Sequence, residues 1–153
     1  MSLAVDEILQ DRYQVMAILG EGGVEAPLLG SDVWSSPELD RGVFEGAYYT
    51  TQFSYADERP LVRDFADRYR ESFGDRPDAN AALAYDAATI LLTAMERSGS
   101  IDDPERVALA IERGDFEGVT GPIAFDPEHN PIKPVYVLRI ERGELVHFDT
   151  VMP

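Results

Sequence analysis

The sequence predicts an α/β protein, and three observations support that class. Hydrophobic residues at helical spacing are concentrated in the middle of the chain, strand-like apolar runs lie towards both ends, and no internal repeat interrupts the pattern. The chain has 153 residues, of which 44% are hydrophobic and 27% charged. A chain of this length and composition can bury a core without a disulfide or a structural metal.

The first third of the chain predicts one helix and two strands. Apolar residues at spacings of three and four predict an amphipathic helix over residues 4–19, ending at Gly20. The short apolar run 26–30 has the length of a buried strand. Residues 31–40 predict a loop, and the aromatic and β-branched run 43–53 predicts a second strand.

The middle of the chain predicts three helices. The first begins at Pro60 and ends at Gly74, the second spans about 81–98 with Asn80 as its N-cap, and the third occupies 103–114. The second helix carries an apolar stripe that we expect to be largely buried, formed by Leu83, Ala87, Leu91, Ala94 and Met95. In the third helix we expect Val107 and Ile111 to be buried.

The tail changes to strand periodicity. Residues 135–140 and 145–148 flank the polar, glycine-containing segment 141–144, which is typical of a β-hairpin. The predicted architecture is therefore helices in the middle and strands at both ends.

Charge and composition exclude several classes of function. The chain has 29 acidic and 13 basic residues, a net charge of -16, and Lys133 as its single lysine, which argues against nucleic acid as a partner. With no cysteine, disulfides, thiol catalysis and thiolate metal sites are excluded. No apolar run reaches the length of a membrane helix. The opening residues 1–3 lack the features of a signal peptide, so we expect none in the sequence as it stands.

Catalysis has little support in the sequence. Neither His129 nor His147 is flanked by a nucleophile motif, so we predict no catalytic residue and no enzyme activity. Residues 126–130 alternate oxygen-bearing side chains as a calcium loop does, but Pro131 and Val137 occupy the positions where that loop needs glycine and glutamate. We therefore expect a turn there, with no metal site and no cofactor.

Asp32 is the acidic residue that most resembles a binding group. It follows a predicted strand directly and lies beside an exposed-looking Trp34, and ligands of open α/β sheets bind outside the carboxyl ends of strands. A carboxylate there could receive a ligand ammonium while tryptophan covers an apolar side chain. The alternative is that Asp32 only caps the turn at residues 31–35, and the sequence leaves both interpretations open.

Several segments resemble a known family when they are taken in order. The chain is similar to the C-terminal half of periplasmic binding proteins of the branched-chain amino acid transporter type, over about residues 16–148. The segments that carry the resemblance are LLGSDVW (28–34), GVFEGAYYT (42–50), the helical stretch 60–102 with its AYDAA sequence, FEGVTGPIAFDP (116–127) and YVLRIERGELVHF (136–148).

The resemblance implies a type I periplasmic binding protein fold, a two-lobed α/β flytrap of which this chain is the C-terminal half. We expect three-layer α/β/α pieces and a C-terminal hairpin. The whole chain, residues 1–153, would be a partial solute-binding domain. Residues 1–52 and 133–153 would belong to the second lobe, and the helices within 55–126 would belong to the first.

The resemblance also assigns binding residues by position. Asp32 matches the acidic residue that takes the α-ammonium of the ligand, with Ser31 and Trp34 as neighbours in the cleft. Asn80 matches a cleft position that is often aromatic in relatives, which favours a more polar ligand than a branched apolar one. Four further residues are expected to hold the turn that returns between the lobes: Gly118, Gly121, Pro122 and Asp126.

The implied function is the ligand-binding component of an ABC-type uptake transporter for amino acids or related small polar compounds. Its partners would be a small-molecule ligand and a membrane permease, and its location periplasmic or extracellular, with a lipid anchor in the full-length protein as an open option. The alternative is a ligand-sensing regulatory or receptor domain of the same fold.

The chain is less than half as long as members of this family. We expect ligand binding to be weak or absent until the N-terminal half, which would hold the ligand carboxylate, is supplied. The helices would lack the sheet they normally cover, so we also expect a homodimer or an exchange of elements to bury their apolar faces. The residues expected on that surface are Phe65, Tyr69, Leu91 and Met95.

Overall fold

A computed structural model of the chain describes residues 8–9, 13–14, 28–35 and 41–153. This part contains nine strands, three α-helices and one 3-10 turn. In chain order they are β1 (Ile8–Leu9), β2 (Tyr13–Gln14), β3 (Leu29–Gly30), the 3-10 turn (Asp32–Ser35), β4 (Tyr48–Thr51), α1 (Pro60–Phe73), α2 (Ala79–Ser98), α3 (Pro104–Glu112), β5 (Phe116–Gly118), β6 (Gly121–Phe125), β7 (Pro131–Ile132), β8 (Val135–Glu141) and β9 (Glu144–Val151). The α/β class is confirmed.

A four-stranded sheet in the order β3-β4-β8-β9 combines two strands that precede the helices with the last two strands of the chain. Strand β3 pairs parallel to β4, while β4 and β9 both run antiparallel to β8. Inward-facing residues of this sheet form one apolar cluster, which we call the sheet core: Ala47, Tyr49, Tyr136, Leu138 and Ile140, with Trp34, Phe44 and Leu145 packed against it.

The predicted C-terminal hairpin is confirmed. Its turn consists of Arg142 and Gly143, both with positive φ (55° and 74°), as a tight hairpin turn requires. The Glu45 carboxylate accepts hydrogen bonds from the backbone N–H groups of both turn residues, at 2.7 and 3.2 Å. These bonds lower the pKa of Glu45, and they fasten the turn to the segment that precedes β4.

The rest of the described chain contains the three helices and the small sheet β5-β6-β7. A second cluster, the helical core, is formed there by α1, the start of α2, Phe53 and the turn between β5 and β6. Its buried members are Phe53, Val62, Phe65, Ala79, Ala82 and Val119. The predicted ends of α1 are confirmed, because Pro60 occupies the first turn and Gly74 ends the helix in the left-handed conformation. The third helix is confirmed as well, with Asp103 as its cap and Val107 buried, although Ile111 is only half-buried. None of the helices in the described ranges is long and apolar enough to cross a membrane.

The start of α2 differs from the prediction. The helix begins at Ala79, and its N-cap is Asp78, whose Oδ1 accepts a hydrogen bond from the N–H of Ala81 at 2.7 Å. Asn80 therefore lies within the first turn. The reason is that Asp78 already has the extended backbone of a capping residue, with ψ near 180°.

The buried face of α2 also differs from the predicted stripe. Of its five residues only Ala94 is buried; Leu83 and Leu91 are 37% and 42% exposed, and Leu92 next to the stripe is 66% exposed. The helix instead buries Ala79, Ala82 and Asp86 along with Ala94. Ala79 and Ala82 face inwards as members of the helical core, which they share with Phe65 of α1. The large apolar residues of the predicted stripe therefore lie mostly on other faces of the helix.

Three predictions for the first third of the chain need correction or lie outside the described residues. Where the helix 4–19 was predicted, residues 8–9 and 13–14 form the antiparallel pair β1-β2, and the rest of that segment, with Gly20, lies outside the described residues. An isolated helix of that length is only marginally stable without a packed face.

The strand predicted over 43–53 is confined to β4, because residues 41–47 form hydrogen-bonded turns around Gly46, whose φ is +80°. Of the predicted strand 26–30, the structure shows Leu29–Gly30.

Candidate functional site

Three of the predicted binding residues lie together at the carboxyl end of β3. Ser31 and Asp32 are exposed, and Asp32 is the first residue of the 3-10 turn, which is closed by a hydrogen bond from the N–H of Trp34 to the carbonyl of Ser31 at 3.0 Å. This position outside a strand end is the one expected for a ligand group. It is equally the position of a turn-opening acid, so both interpretations of Asp32 remain as predictions.

Trp34 is not an exposed loop residue. Its ring packs on Gly30 and lies 4.7 Å from the ring of Phe44, centroid to centroid. A Cβ atom at position 30 would come within 2.2 Å of the indole, so only glycine fits there. Trp34 is therefore an outer member of the sheet core, and its packing fixes the turn that presents Ser31 and Asp32.

Asn80 lies in the other part of the molecule. It is exposed in the first turn of α2, two residues after the capping Asp78. The four predicted site residues thus fall into two groups, one carried by the four-stranded sheet and one by the helical region.

A cavity of about 430 Å³ lies between these two parts. Its walls come from one face of β4, from the segment that follows β4, and from the loop that enters α2. Asp78 and Ala79, the two residues before Asn80, line it, but its described lining includes none of Ser31, Asp32, Trp34 and Asn80. The main lining residues are Arg41, Tyr49, Thr51, Phe53, Ser54, Tyr55, Tyr69, Arg76, Asp78 and Leu138.

Polar groups around this cavity keep unused hydrogen-bonding capacity. Three of its lining residues have buried side-chain atoms with no hydrogen-bond partner among the described residues, namely Arg41 Nε, Tyr49 Oη and Thr51 Oγ1. Burial raises the pKa of Tyr49 to about 12, against the opposing charge of Arg41, so this hydroxyl is neutral at physiological pH. Arg76 lies over the ring of Tyr55, 5.1 Å from its centroid.

Sequence reasoning missed this cavity. Tyr49 and Thr51 are alternate residues of β4, and alternate residues face the same side of a strand, so their shared direction was readable from the sequence. The residues that face them from the α2 entry are far away in the chain, and nothing local indicates that approach.

Two of the recognised sequence segments meet in the helical core. Asp86, from the AYDAA segment, is 3% exposed and accepts hydrogen bonds from the N–H groups of Val119 and Thr120, at 2.7 and 2.9 Å, and from the Thr120 hydroxyl at 2.6 Å. A Cβ atom on Gly118 would lie 2.6 Å from this carboxylate. The residues expected to be structural at this turn, Gly118 and Gly121, are therefore explained by close packing around Asp86 and Pro134.

The turn predicted at residues 126–130 is confirmed. Asp126 accepts hydrogen bonds from the backbone N–H and the side-chain amide of Asn130, at 2.7 and 3.0 Å, and these bonds lower the pKa of Asp126. Among the residues that the structure describes, no cluster of three or more histidine or carboxylate side chains could hold a metal ion.

Comparison with known proteins assigns the family. The sequence profile of the periplasmic binding proteins matches residues 14–144. The chain belongs to the periplasmic binding protein family. Its relatives are of the branched-chain amino acid type, as the sequence segments predicted, and the family consists of solute-binding proteins.

The similar proteins include both sequence relatives and solved structures. The Leu/Ile/Val-binding protein homolog 1 of Brucella suis is 35% identical over 89 residues, covering 57% of this chain. The leucine binding protein LivK of Thermotoga maritima superimposes with a TM-score of 0.71 at 31% identity over 86% of this chain. LivJ of Streptococcus pneumoniae, solved in complex with isoleucine, gives a TM-score of 0.71 at 29% identity, also over 86%.

The chain spans only part of these relatives. The matched region is 22% of the length of the Brucella protein and 39% and 38% of the two solved chains. The type I periplasmic binding protein fold is confirmed for the part of it that this chain contains.

Proposed function

We propose that this chain is part of the ligand-binding component of an ABC-type uptake transporter. Its ligands would be amino acids or related small polar compounds, which it would pass to a membrane permease without chemical change. The protein would act in the periplasm or outside the cell, either free or held to the membrane by a lipid anchor in the full-length protein. The observation that carries the proposal is the family match over residues 14–144, together with a fold shared with a leucine binding protein and with an isoleucine complex.

We propose further that the two cores belong to different lobes of the complete protein. Residues 1–52 and 133–153 would form part of one lobe, and residues 55–126 part of the other. The separation of the packing supports this division, since the sheet core draws on β4 and β8 while the helical core draws on residues 53–119. A ligand held between the lobes would then meet groups from both cores.

Asp32 would receive the ligand ammonium in this proposal. Its exposure at the carboxyl end of β3, beside the exposed Ser31, leaves both side chains accessible to a ligand. Trp34 would hold their turn against Gly30. Asn80 would contribute an amide from the other region, which suits a polar ligand side chain better than a branched apolar one.

A thermal-shift screen tests this function. The chain, alone and mixed with a polypeptide corresponding to the part of its relatives that it does not span, is heated with amino acids, amides, urea and aromatic acids. A ligand at a hundredfold excess over its dissociation constant stabilises the native state by about 2.7 kcal/mol, which raises the melting temperature measurably. We expect a shift with a zwitterionic amino acid in the mixture. A cooperatively folding mixture that no compound stabilises would contradict transport and favour a sensing or interaction role.

Self-association of the isolated chain is a separate proposal. Of the four residues expected on the exposed helix surface, Leu91 is 42% exposed and Tyr69 and Met95 are half-buried, but the expectation is wrong for Phe65, which is buried in the helical core. Other large apolar side chains of the helices face solvent, among them Phe73 at 71% and Leu92 at 66% exposure. We expect this surface to be buried in a homodimer or by exchange of elements. Light scattering should give about twice the mass of one chain, and Leu92→Arg should reduce that mass, whereas the control Val43→Arg, in an exposed turn of the other region, should not. A monodisperse monomer that binds no hydrophobic dye would refute the proposal.

A further inference from the structure

Arg59 is the most extensively bonded side chain in the segment between β4 and α1. Its guanidinium has five N–H groups, and each has an acceptor. Nε donates to Asp57 at 2.9 Å, one terminal nitrogen donates to Glu117 at 2.8 Å and to the carbonyl of Gly118 at 3.1 Å, and the other donates to the carbonyl of Val119 at 3.1 Å and to the hydroxyl of Tyr136 at 3.5 Å.

These acceptors belong to both cores. Val119 is a member of the helical core, and Glu117 and Gly118 are the residues of β5 that directly precede it in the chain. Tyr136 is a member of the sheet core. The Tyr136 hydroxyl also donates to Asp57 Oδ2 at 3.0 Å, the same oxygen that accepts from Arg59 Nε. One guanidinium thus joins the two cores directly and through a shared carboxylate.

The ion pair within this network stays charged. The Arg59 and Asp57 side chains are 31% and 13% exposed. Burial raises the pKa of Asp57, but hydrogen bonds from the backbone and side chain of Arg59 and from Tyr136 outweigh it, so the pKa lies below its ordinary value. Charge-assisted hydrogen bonds of this kind are the stronger ones in proteins.

The segment between β7 and β8, residues 133–134, contacts the turn of residues 118–121, to which Arg59 also bonds. Lys133 Nζ donates to the hydroxyl of Thr120, which in turn donates to the buried Asp86. The ring of Pro134 packs on Gly121, where φ is +111° and an added Cβ atom would come within 2.4 Å of the proline. Both segments that connect the cores are therefore fastened to the turn of residues 118–121.

The extensive packings between strands and helices stay within each region. In the described residues they join β3, β4, β8, β9 and the 3-10 turn to one another, α2, α3, β5, β6 and β7 to one another, and β1 to β2, and none of them joins the sheet region to the helical region. The relative position of the two cores must therefore depend strongly on the polar contacts at the connecting segments.

We propose that Arg59 is a positioning residue that couples the two cores, so that they unfold as one cooperative unit. Without its guanidinium each core keeps its own apolar packing, but the link between them weakens. This inference does not depend on which ligand the protein binds, or on whether it binds one.

The chain offers an independent probe for each core. Trp34, its single tryptophan, packs against the sheet core, so its fluorescence follows that region. Circular dichroism at 222 nm follows the three helices of the other region. In urea, the two signals should give the same midpoint for the wild-type chain, as expected for one cooperative transition.

In Arg59→Met the two midpoints should separate by about 0.5 M urea or more, a difference that ordinary denaturant slopes resolve. The control is Arg63→Met, one turn after Arg59, where an exposed arginine has the exposed Glu58 as its one ion-pair partner among the described residues; its two midpoints should stay together. If Arg59→Met does not fold, Tyr136→Phe removes only the hydroxyl on the sheet side and should give a smaller separation.

A purely local stabilising role for Arg59 predicts a different outcome. Both midpoints would then move to lower urea together, and that result would overturn the proposal. Two separate transitions in the wild-type chain would overturn it as well, because the cores would then be uncoupled with Arg59 in place.

Discussion

The sheet region and the helical region differ in how their buried polar groups are satisfied. In the sheet region four buried polar side-chain atoms have no hydrogen-bond partner within the part of the chain that the structure describes: Arg41 Nε, Tyr49 Oη, Thr51 Oγ1 and Arg139 Nε. In the helical region the buried carboxylate of Asp86 has its partners, but large apolar side chains such as Leu92 face solvent. Both regions expose large apolar side chains, since Leu29 and Phe148 of the sheet region are 74% and 58% exposed, so the difference between them lies in their buried polar groups.

This difference shows how each region is held together. Burying a polar atom without a partner costs free energy, so the helical region, whose central carboxylate is satisfied, should tolerate perturbation of its surface but not of Asp86. The sheet region depends more on close apolar packing, at Trp34 and Gly30 in particular. The following predictions test that contrast.

The largest effect should come from Asp86→Ala. The substitution leaves the buried N–H groups of Val119 and Thr120 without an acceptor, and we expect it to lower the free energy of unfolding by about 3–5 kcal/mol. Urea unfolding followed at 222 nm measures it. The matched control is Asp67→Ala, whose exposed carboxylate pairs with Arg70 on the surface of α1 and should matter little. Similar losses for the two variants would remove the distinction between the buried and the exposed carboxylate.

The second-largest effect should be a loss of stability of the sheet region at alkaline pH. Burial raises the pKa of Tyr49 and of Tyr136 from 10.0 to about 12, and both belong to the sheet core. The folded state therefore holds these protons more tightly than the unfolded state, so the stabilisation is complete below pH 10 and is lost as the pH rises towards 12. Because one pKa unit corresponds to about 1.4 kcal/mol, the two hydroxyls together give an expected loss on the order of 4 kcal/mol by pH 11.5, visible as a fall in the urea midpoint from Trp34 fluorescence. A midpoint unchanged between pH 9 and 11.5 would contradict it.

Gly30→Ala should cost about 1–3 kcal/mol, because the new Cβ atom would overlap the Trp34 ring. The measurement is a double-mutant cycle with Trp34→Ala. If the contact causes the loss, Gly30→Ala should have little effect once the indole is absent. An equal cost in both backgrounds would assign the effect to the backbone of β3 instead.

The smallest expected loss of stability comes from removing the N-cap of α2, for which Asp78 and Asn80 are the two candidates. Asp78→Ala should destabilise the chain by about 1 kcal/mol, because the N–H of Ala81 loses its acceptor. Asn80→Ala, at the position that the sequence favoured as the cap, should have almost no effect on the unfolding midpoint. The reverse order would restore Asn80 as the cap.

Local chemistry explains which elements the sequence predicts well. The ends of α1 follow from Pro60 and Gly74, and the hairpin follows from the turn at Arg142 and Gly143. Each of these signals acts over a few neighbouring residues. The family assignment succeeded for a related reason, since AYDAA and the 116–127 segment carry the residues that pack around Asp86.

Features that depend on distant contacts were not predictable in the same way. The buried face of α2 contacts α1 and the β5-β6 turn, so most of its apolar stripe is exposed, against the local pattern. Arg59 bonds to the side chains of Glu117 and Tyr136, which lie 58 and 77 positions further along the chain. At the candidate site, the sequence located Asp32 at a strand end correctly, but the cavity beside Tyr49 and Thr51 arises from elements that are far apart in the chain.

The most direct test of the binding proposal is a calorimetric titration that compares wild type with Asp32→Asn. Both are mixed with a polypeptide corresponding to the part of the relatives that this chain does not span, and the amino acid that gives the largest thermal shift is titrated in. Loss of a charge-assisted hydrogen bond to the ligand ammonium should weaken binding by about 1.5 kcal/mol or more, roughly tenfold. Equal affinities, with both proteins folded, would contradict the role of Asp32 in binding and leave it as a residue that opens a turn.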